Sequence, residues 1–248
     1  MRRLSILLLV VVSLLFARNL LALSGNAILK KVEDTMNAPR DRIVTERMVL
    51  IKAGGSEKER TIRFYQKGNR KRMVVFLSPA DVKGVSFLSL SRERMYLYLP
   101  AFRKVRRIAS HIKGEDFMGT DFSYEDMAET EYTKDYTATL IKEDDSQYVL
   151  ELKPRSKADV SYSKKIIWVD KKTFVSTRGE YYSRTGELIK VIRAENIRQV
   201  DGYWFPMKMT MRTVIKNHQT ILEVMEIKHD VGLADNFFSE RNLKRQAR

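Results

Sequence analysis

The sequence predicts a mainly β fold of the α+β class: one curved antiparallel sheet, or half-open barrel, of about eleven strands under a short helical lid. Three features predict it. From Arg42 onward, apolar residues recur with period two. Short turn signals separate these runs, so consecutive strands should be antiparallel neighbours. Helical spacing is confined to two short stretches, too little to carry crossovers between parallel strands.

The chain opens with Met1-Arg2-Arg3, and Leu4 to Phe16 is apolar apart from Ser5 and Ser13. Ala22-Leu23-Ser24 then places small residues where a signal peptidase reads. Residues 1–24 therefore read as a secretory signal peptide cleaved near residues 22–24, which predicts export to the periplasm. An uncleaved anchor would have to run to Leu23, through the interruption at Arg18 and Asn19. Residues 25–248 contain no linker, repeat or low-complexity stretch and read as a single domain.

The first element of that domain is a helix, NAILKKVEDTMN. Ile28, Leu29, Val32 and Met36 share one face; Asn26 can cap the start, and Pro39 ends it. Period-two runs follow: RIVTERMVLIK, ERTIRFYQK, NRKRMVVFLS, VSFLSLS and RMYLYLP, separated by Gly54-Gly55, Gly68-Asn69, Pro79-Ala80-Asp81 and Gly84. A second series runs from YTATLIKE through QYVLELKP, KKIIWVDK, FVSTRGEYYSR, LIKVIRAENIRQV and YWFPMKMTMRTV to TILEVMEIKH. Between the two lies 108–132, poor in alternation. Its SYED, Ser123 to Asp126, has the form of a capping box and predicts a short helix.

Lys and Arg exceed Asp and Glu by 46 − 31 = 15, or 15 − 3 = 12 without Arg2, Arg3 and Arg18. Such a surface suits anionic partners. For an exported protein these are a membrane surface or an acidic protein, not nucleic acid. The absence of cysteine excludes disulfides, thiol catalysis and thiolate metal sites. His111, His218 and His229 are scattered and form no metal-binding motif, and no nucleophile or phosphate-loop signature is present. The chain asks for no catalytic residue, metal or cofactor.

The apolar strand faces are more telling. In YWFPMKMTMRTV, alternation places Phe205, Met207, Met209 and Met211 on one side. Ordinary core is one reading. Pliable, polarizable methionine also suits a wall that accepts ligands of variable shape. Met95, Leu97 and Leu99, with Met73 and Val75 upstream, supply further candidate wall residues. The available cover is the first helix, through Ile28, Leu29, Val32 and Met36, and residues 115–128, through Phe117, Met118, Phe122 and Met127. So thin a lid over so broad a sheet either packs tightly on part of it or leaves a pocket. Beside these residues, Arg103, Lys104, Arg106 and Arg107 put charge on both faces of one segment, which predicts a projecting rim able to dock on a membrane or an acidic partner.

RMYLYLPAFRKVRRI followed by FMGTDFSYEDM resembles the outer-membrane lipoprotein-sorting proteins, relatives of the periplasmic carrier LolA. DGYWFPMKM and the closing ADNFFSERNL are similar to that family's late strand and tail. The resemblance covers essentially the whole mature chain. It implies a half-open antiparallel barrel plugged by helices, and a cavity for the acyl chains of a lipoprotein or another lipid. It also implies exchange with an inner-membrane transporter and an outer-membrane acceptor by a protein working as a monomer. The family's lid is clamped by an arginine inside the barrel, and the resemblance does not say which arginine of this chain that is. A non-transporting envelope sensor or interaction module on the same fold is the alternative.

Overall fold

The computed structural model describes residues 23–128 and 131–246. Residues 1–22 of the predicted signal peptide lie outside the described residues.

Helix α1 (Gly25–Met36) is capped by Ser24, whose hydroxyl accepts from the Ala27 amide at 3.2 Å. Asn26, the cap expected from sequence, instead accepts from the Ala138 amide at 2.9 Å and ties the helix to the sheet. Gly25 is required there: a Cβ would sit 2.5 Å from the Ala138 carbonyl oxygen. Then come β1 (Asp41–Ile51), β2 (Glu57–Lys67), β3 (Lys71–Ser78), β4 (Ser86–Ser91), β5 (Arg94–Leu99) and β6 (Lys104–Arg107). Short helices α2 (Tyr124–Met127) and α3 (Tyr132–Asp135) precede β7 (Tyr136–Glu143), β8 (Gln147–Pro154) and β9 (Lys164–Asp170). The chain ends with β10 (Ser176–Tyr182), β11 (Leu188–Val200), β12 (Tyr203–Thr213), β13 (His218–His229) and α4 (Glu240–Gln246).

All thirteen strands form one curved, unclosed antiparallel sheet in the order β6-β5-β4-β3-β2-β1-β13-β12-β11-β10-β9-β8-β7. The surplus over the expected count is partly β6, the basic segment read from sequence as a rim and found as an edge strand. The first and last strands meet at the centre, where β1 pairs with β13. The two edges, β6 and β7, are consecutive in the chain, joined by the lid segment that contains α2 and α3.

Apolar residues cover both faces. On the inner face, Met48, Ile62, Val74, Phe76 and Phe87 pack against Phe117, Phe122 and Met127 of the lid. Farther along, Ile28, Leu29 and Val32 of α1 pack on Tyr136, Leu150, Ile167 and Val169. On the outer face, Tyr65, Met73, Val75 and Leu88 pack beneath Phe238 and Leu243. This corrects the expectation for Met73 and Val75, which lie on the outer face, away from the cavity beneath the lid, and serve as the floor for α4. In β3, residues 72–76 are all buried, so alternation does not tell its two faces apart.

Candidate functional site

The lid is fastened by polar contacts at several points. In α2, Ser123 and Asp126 form the expected reciprocal capping box. Just upstream, the Asp121 carboxylate accepts from Thr220 Oγ1 at 2.7 Å and the Thr213 amide at 3.2 Å, and pairs with His218 Nδ1 at 2.7 Å. These contacts pin the lid to the β12–β13 hairpin. Two arginines from the sheet hold lid carbonyls: Arg60 donates to Met118 at 2.8 Å and Arg72 to Ala128 at 2.6 Å. Below, Phe117 sits 5.8 Å from Phe76, 5.4 Å from Phe87 and 5.5 Å from Tyr124, ring centre to ring centre.

The two covers do not meet over the whole inner face. Between them lies a cavity of about 230 Å³, bounded by α1, the lid, β1 to β3 and β9 to β13. Its apolar wall includes Met36, Phe122, Ile192, Met209, Met211 and Leu222. Such a volume is below the roughly 300–1,000 Å³ usual for small-molecule pockets.

Of the residues expected to line it, Phe205, Met209 and Met211 do, and Val32, Met36, Phe122 and Met127 contribute from the covers. Met95 and Leu97 are buried in the core under the lid, with Leu99 packed at its margin, and none of the three borders the cavity. Met207 does not border it either, whereas its neighbours Trp204 and Pro206 do. Opposite Met207, between the paired residues Glu195–Lys208 and Ile197–Pro206, Asn196 has φ +54°. Ile28 and Leu29 are fully buried against the β7–β9 side; Phe117 and Met118 pack over the β1–β5 side.

Sequence reasoning missed the charged part of the wall: Arg42, Glu46, Arg72, Arg92, Glu125, Asp126 and Lys165 all border the cavity. Arg92 bridges Glu125 and Asp135. Burial opposes ionisation of Asp126, yet Lys190 at 3.0 Å and nearby Lys165 hold its carboxyl below the usual range. Burial pushes Glu46 up to about 7, against the pull of Arg42. Lys165 is only 4% exposed, with Nζ 4.2 Å from the Tyr181 ring centre and 4.8 Å from that of Tyr162; burial draws it down. The overlooked signal lay in RIVTERMVLIK. Arg42 and Glu46 alternate in phase with Val44, Met48 and Leu50 and so must share their buried face.

The basic run is exposed as expected. Arg103 occupies a left-handed turn position with φ +50°, and Lys104, Arg106 and Arg107 lie on the β6 edge, while Phe102 beside them is 62% exposed. Among the described residues none of these four cations forms an ion pair, and Arg107 donates only to the Glu93 carbonyl at 2.9 Å. Among the described residues no three His, Asp or Glu side chains are grouped to hold a metal.

A family model described as that of an uncharacterized protein matches residues 68–245. No functionally curated protein matches the chain. Among solved structures, an outer membrane lipoprotein-sorting protein domain from Vibrio parahaemolyticus is 31% identical with a TM-score of 0.82, over 89% of this chain and 98% of that one. A DUF1329 family protein from Desulfovibrio piger is 27% identical with a TM-score of 0.83, over 88% and 97%. A LolA superfamily protein from Nitrosomonas europaea shares the fold, with a TM-score of 0.76 and 24% identity over 89% and 100%. The sheet, its lid and these likenesses agree: the chain belongs to the outer-membrane lipoprotein-sorting family, whose fold is that of LolA.

Proposed function

We propose that the protein is a non-enzymatic periplasmic carrier. It takes the acyl chains of a lipoprotein, or another lipid, into the cavity beneath its lid and shuttles them from the inner membrane to the outer. The observation that carries this reading is the apolar space between α1 and the lid, walled by Met36, Ile192, Met209, Met211 and Leu222. A hydrocarbon chain needs such a space. Each buried methylene is worth about 0.8 kcal/mol, so a sixteen-carbon chain leaving a bilayer forfeits roughly 12 kcal/mol unless an enclosed apolar site replaces it. Methionine suits the role because its unbranched, polarizable side chain fills the space in one state and yields it in the other.

Loading then works through the lid contacts. Arg72 and Arg60 hold lid carbonyls from the sheet, so an entering chain displaces these bonds as it lifts residues 115–128. Docking falls to the rim of Arg103, Lys104, Arg106 and Arg107 with Phe102, which fits an anionic membrane surface: about 1 kcal/mol per cation from the lipid charge. Replacing the four cations by glutamine should weaken sedimentation with anionic vesicles by that amount per charge and leave stability within about 0.5 kcal/mol.

The decisive experiment is Met209→Trp. A carrier retains its fold and loses uptake of a fluorescent fatty acyl probe, because the ring occupies the chain's place. A sensor or interaction module with a filled core instead loses stability by about 1–3 kcal/mol through overpacking. Wild-type protein that carries no co-purified lipid and takes up no probe would sink the carrier reading.

A further inference from the structure

The inner face carries a polar row across four adjacent strands. Arg72 of β3 stands opposite Gln66 of β2, Gln66 opposite Arg42 of β1, and Arg42 opposite His229 of β13. Directly opposed residues share a face, and neighbouring strands lie about 4.8 Å apart. Gln66 is saturated: its oxygen accepts from an Arg42 terminal nitrogen at 2.6 Å, and its amide donates to Asn37 at 3.0 Å and the Gly68 carbonyl at 2.8 Å. Arg42 is not. It is 8% exposed, borders the cavity and stacks 5.0 Å from the centre of the Phe205 ring, and its Nε has no acceptor. Next in the row, His229 Nε2 is also buried without a partner, while Nδ1 lies 3.2 Å from Asp201.

Among the described residues, two of the cations that border the cavity are left without an ion pair. Arg92 is committed to Glu125 and Asp135, and Asp126 to Lys190. Among the described residues, Arg42 and Lys165 then face the cavity with no carboxylate in ion-pair range, Asp126 and Glu125 acting on Lys165 from farther away. The remaining acid among the described residues of the wall, Glu46, is itself pushed up to about 7 by burial and so carries only part of a charge near neutrality. A buried cation without a counter-charge costs several kcal/mol. Arg42 also feels the positive charge of Arg72 across the row.

We propose that the cavity selects amphiphiles with an anionic head, a carboxylate or phosphate, which seats on Arg42 while the acyl chain lies along Met209, Met211 and Leu222. This rests on the carrier reading and names its ligand class. Phe205 fixes the guanidinium plane from one side and Gln66 holds one terminal nitrogen, so Nε is left to point a hydrogen bond at the head group. A planar, pre-set fork is what two anionic oxygens require. A neutral alcohol or ester offers no charge to offset the buried cations.

The test is competition against a neutral fluorescent acyl probe at pH 8. The competitors are hexadecanoate, hexadecanol, hexadecanoyl-glycerol phosphate, hexadecanoylglycerol and inorganic phosphate alone. Each anionic amphiphile should bind at least about tenfold tighter than its neutral counterpart, the minimum expected of a charge-assisted hydrogen bond. Arg42→Met should bring that ratio close to one with hexadecanol unaffected, and Arg42→Lys should keep part of it. Equal binding of acid and alcohol by wild-type protein overturns the anionic preference and leaves the carrier reading intact. Binding of neither overturns both. Inorganic phosphate competing as strongly as hexadecanoyl-glycerol phosphate overturns the amphiphile, because the chain then contributes nothing. The wild-type ratio needs no variant, so it decides the matter even if Arg42→Met fails to fold.

Discussion

Under residues 115–128 the inner face of the sheet is an aromatic core, with Phe76, Phe87 and Tyr124 each in ring contact with Phe117. A few strands away, against α1, the same face is a partly filled chamber with ionisable groups in its wall. One sheet and one chain build both. The difference teaches that the lid is anchored over one region so that a neighbouring region can stay unfilled.

The largest way to break this contrast is Phe117→Ala. Phe117 is fully buried at the centre of the aromatic group, so its truncation should lower stability by about 3–5 kcal/mol in urea unfolding. Next is Glu46→Gln in the chamber, which should act in the opposite direction. In the wild type, the unfolded carboxyl ionises at its ordinary value of 4.5 while the folded one keeps its proton until about 7. Folded stability therefore falls as pH rises from 4.5 to 7 and is level above. The amide removes that fall, so the variant should match wild type near pH 4 and exceed it by up to about 3 kcal/mol at pH 8. A variant that is equally stabilised at both pH values would show that Glu46 ionisation is not the cause. Smallest is Met209→Ala. Its side chain already borders open space and has few partner atoms on that side, so truncation should lower stability by only about 1 kcal/mol. A loss as large as that of Phe117→Ala would erase the distinction between the two regions.

Much of the architecture was legible because alternation and turn chemistry act locally. The strand runs, the helix at Ile28 to Met36, the Ser123 capping box and the basic edge are all local signals. The faces of β3 were not legible, since Met73, Val74, Val75 and Phe76 are equally apolar and only the distant α4 assigns Met73 and Val75 to the outside. Helix α4 itself, ERNLKRQ, shows one apolar residue, Leu243, which is too little for a periodic signal. The buried charges were hidden for another reason. Arginine and glutamate in a strand ordinarily mark the solvated side, and here Arg42 and Glu46 mark the enclosed one.

The meeting of β1 with β13 at the sheet's centre has a consequence for how the molecule comes together. Arg42 cannot find His229 until nearly the whole polypeptide is available. Contacts so distant in sequence form slowly. Until β13 arrives, β1 presents a bare ladder to any passing strand. A chain of this design is exposed to misassociation for longer than its finished form suggests.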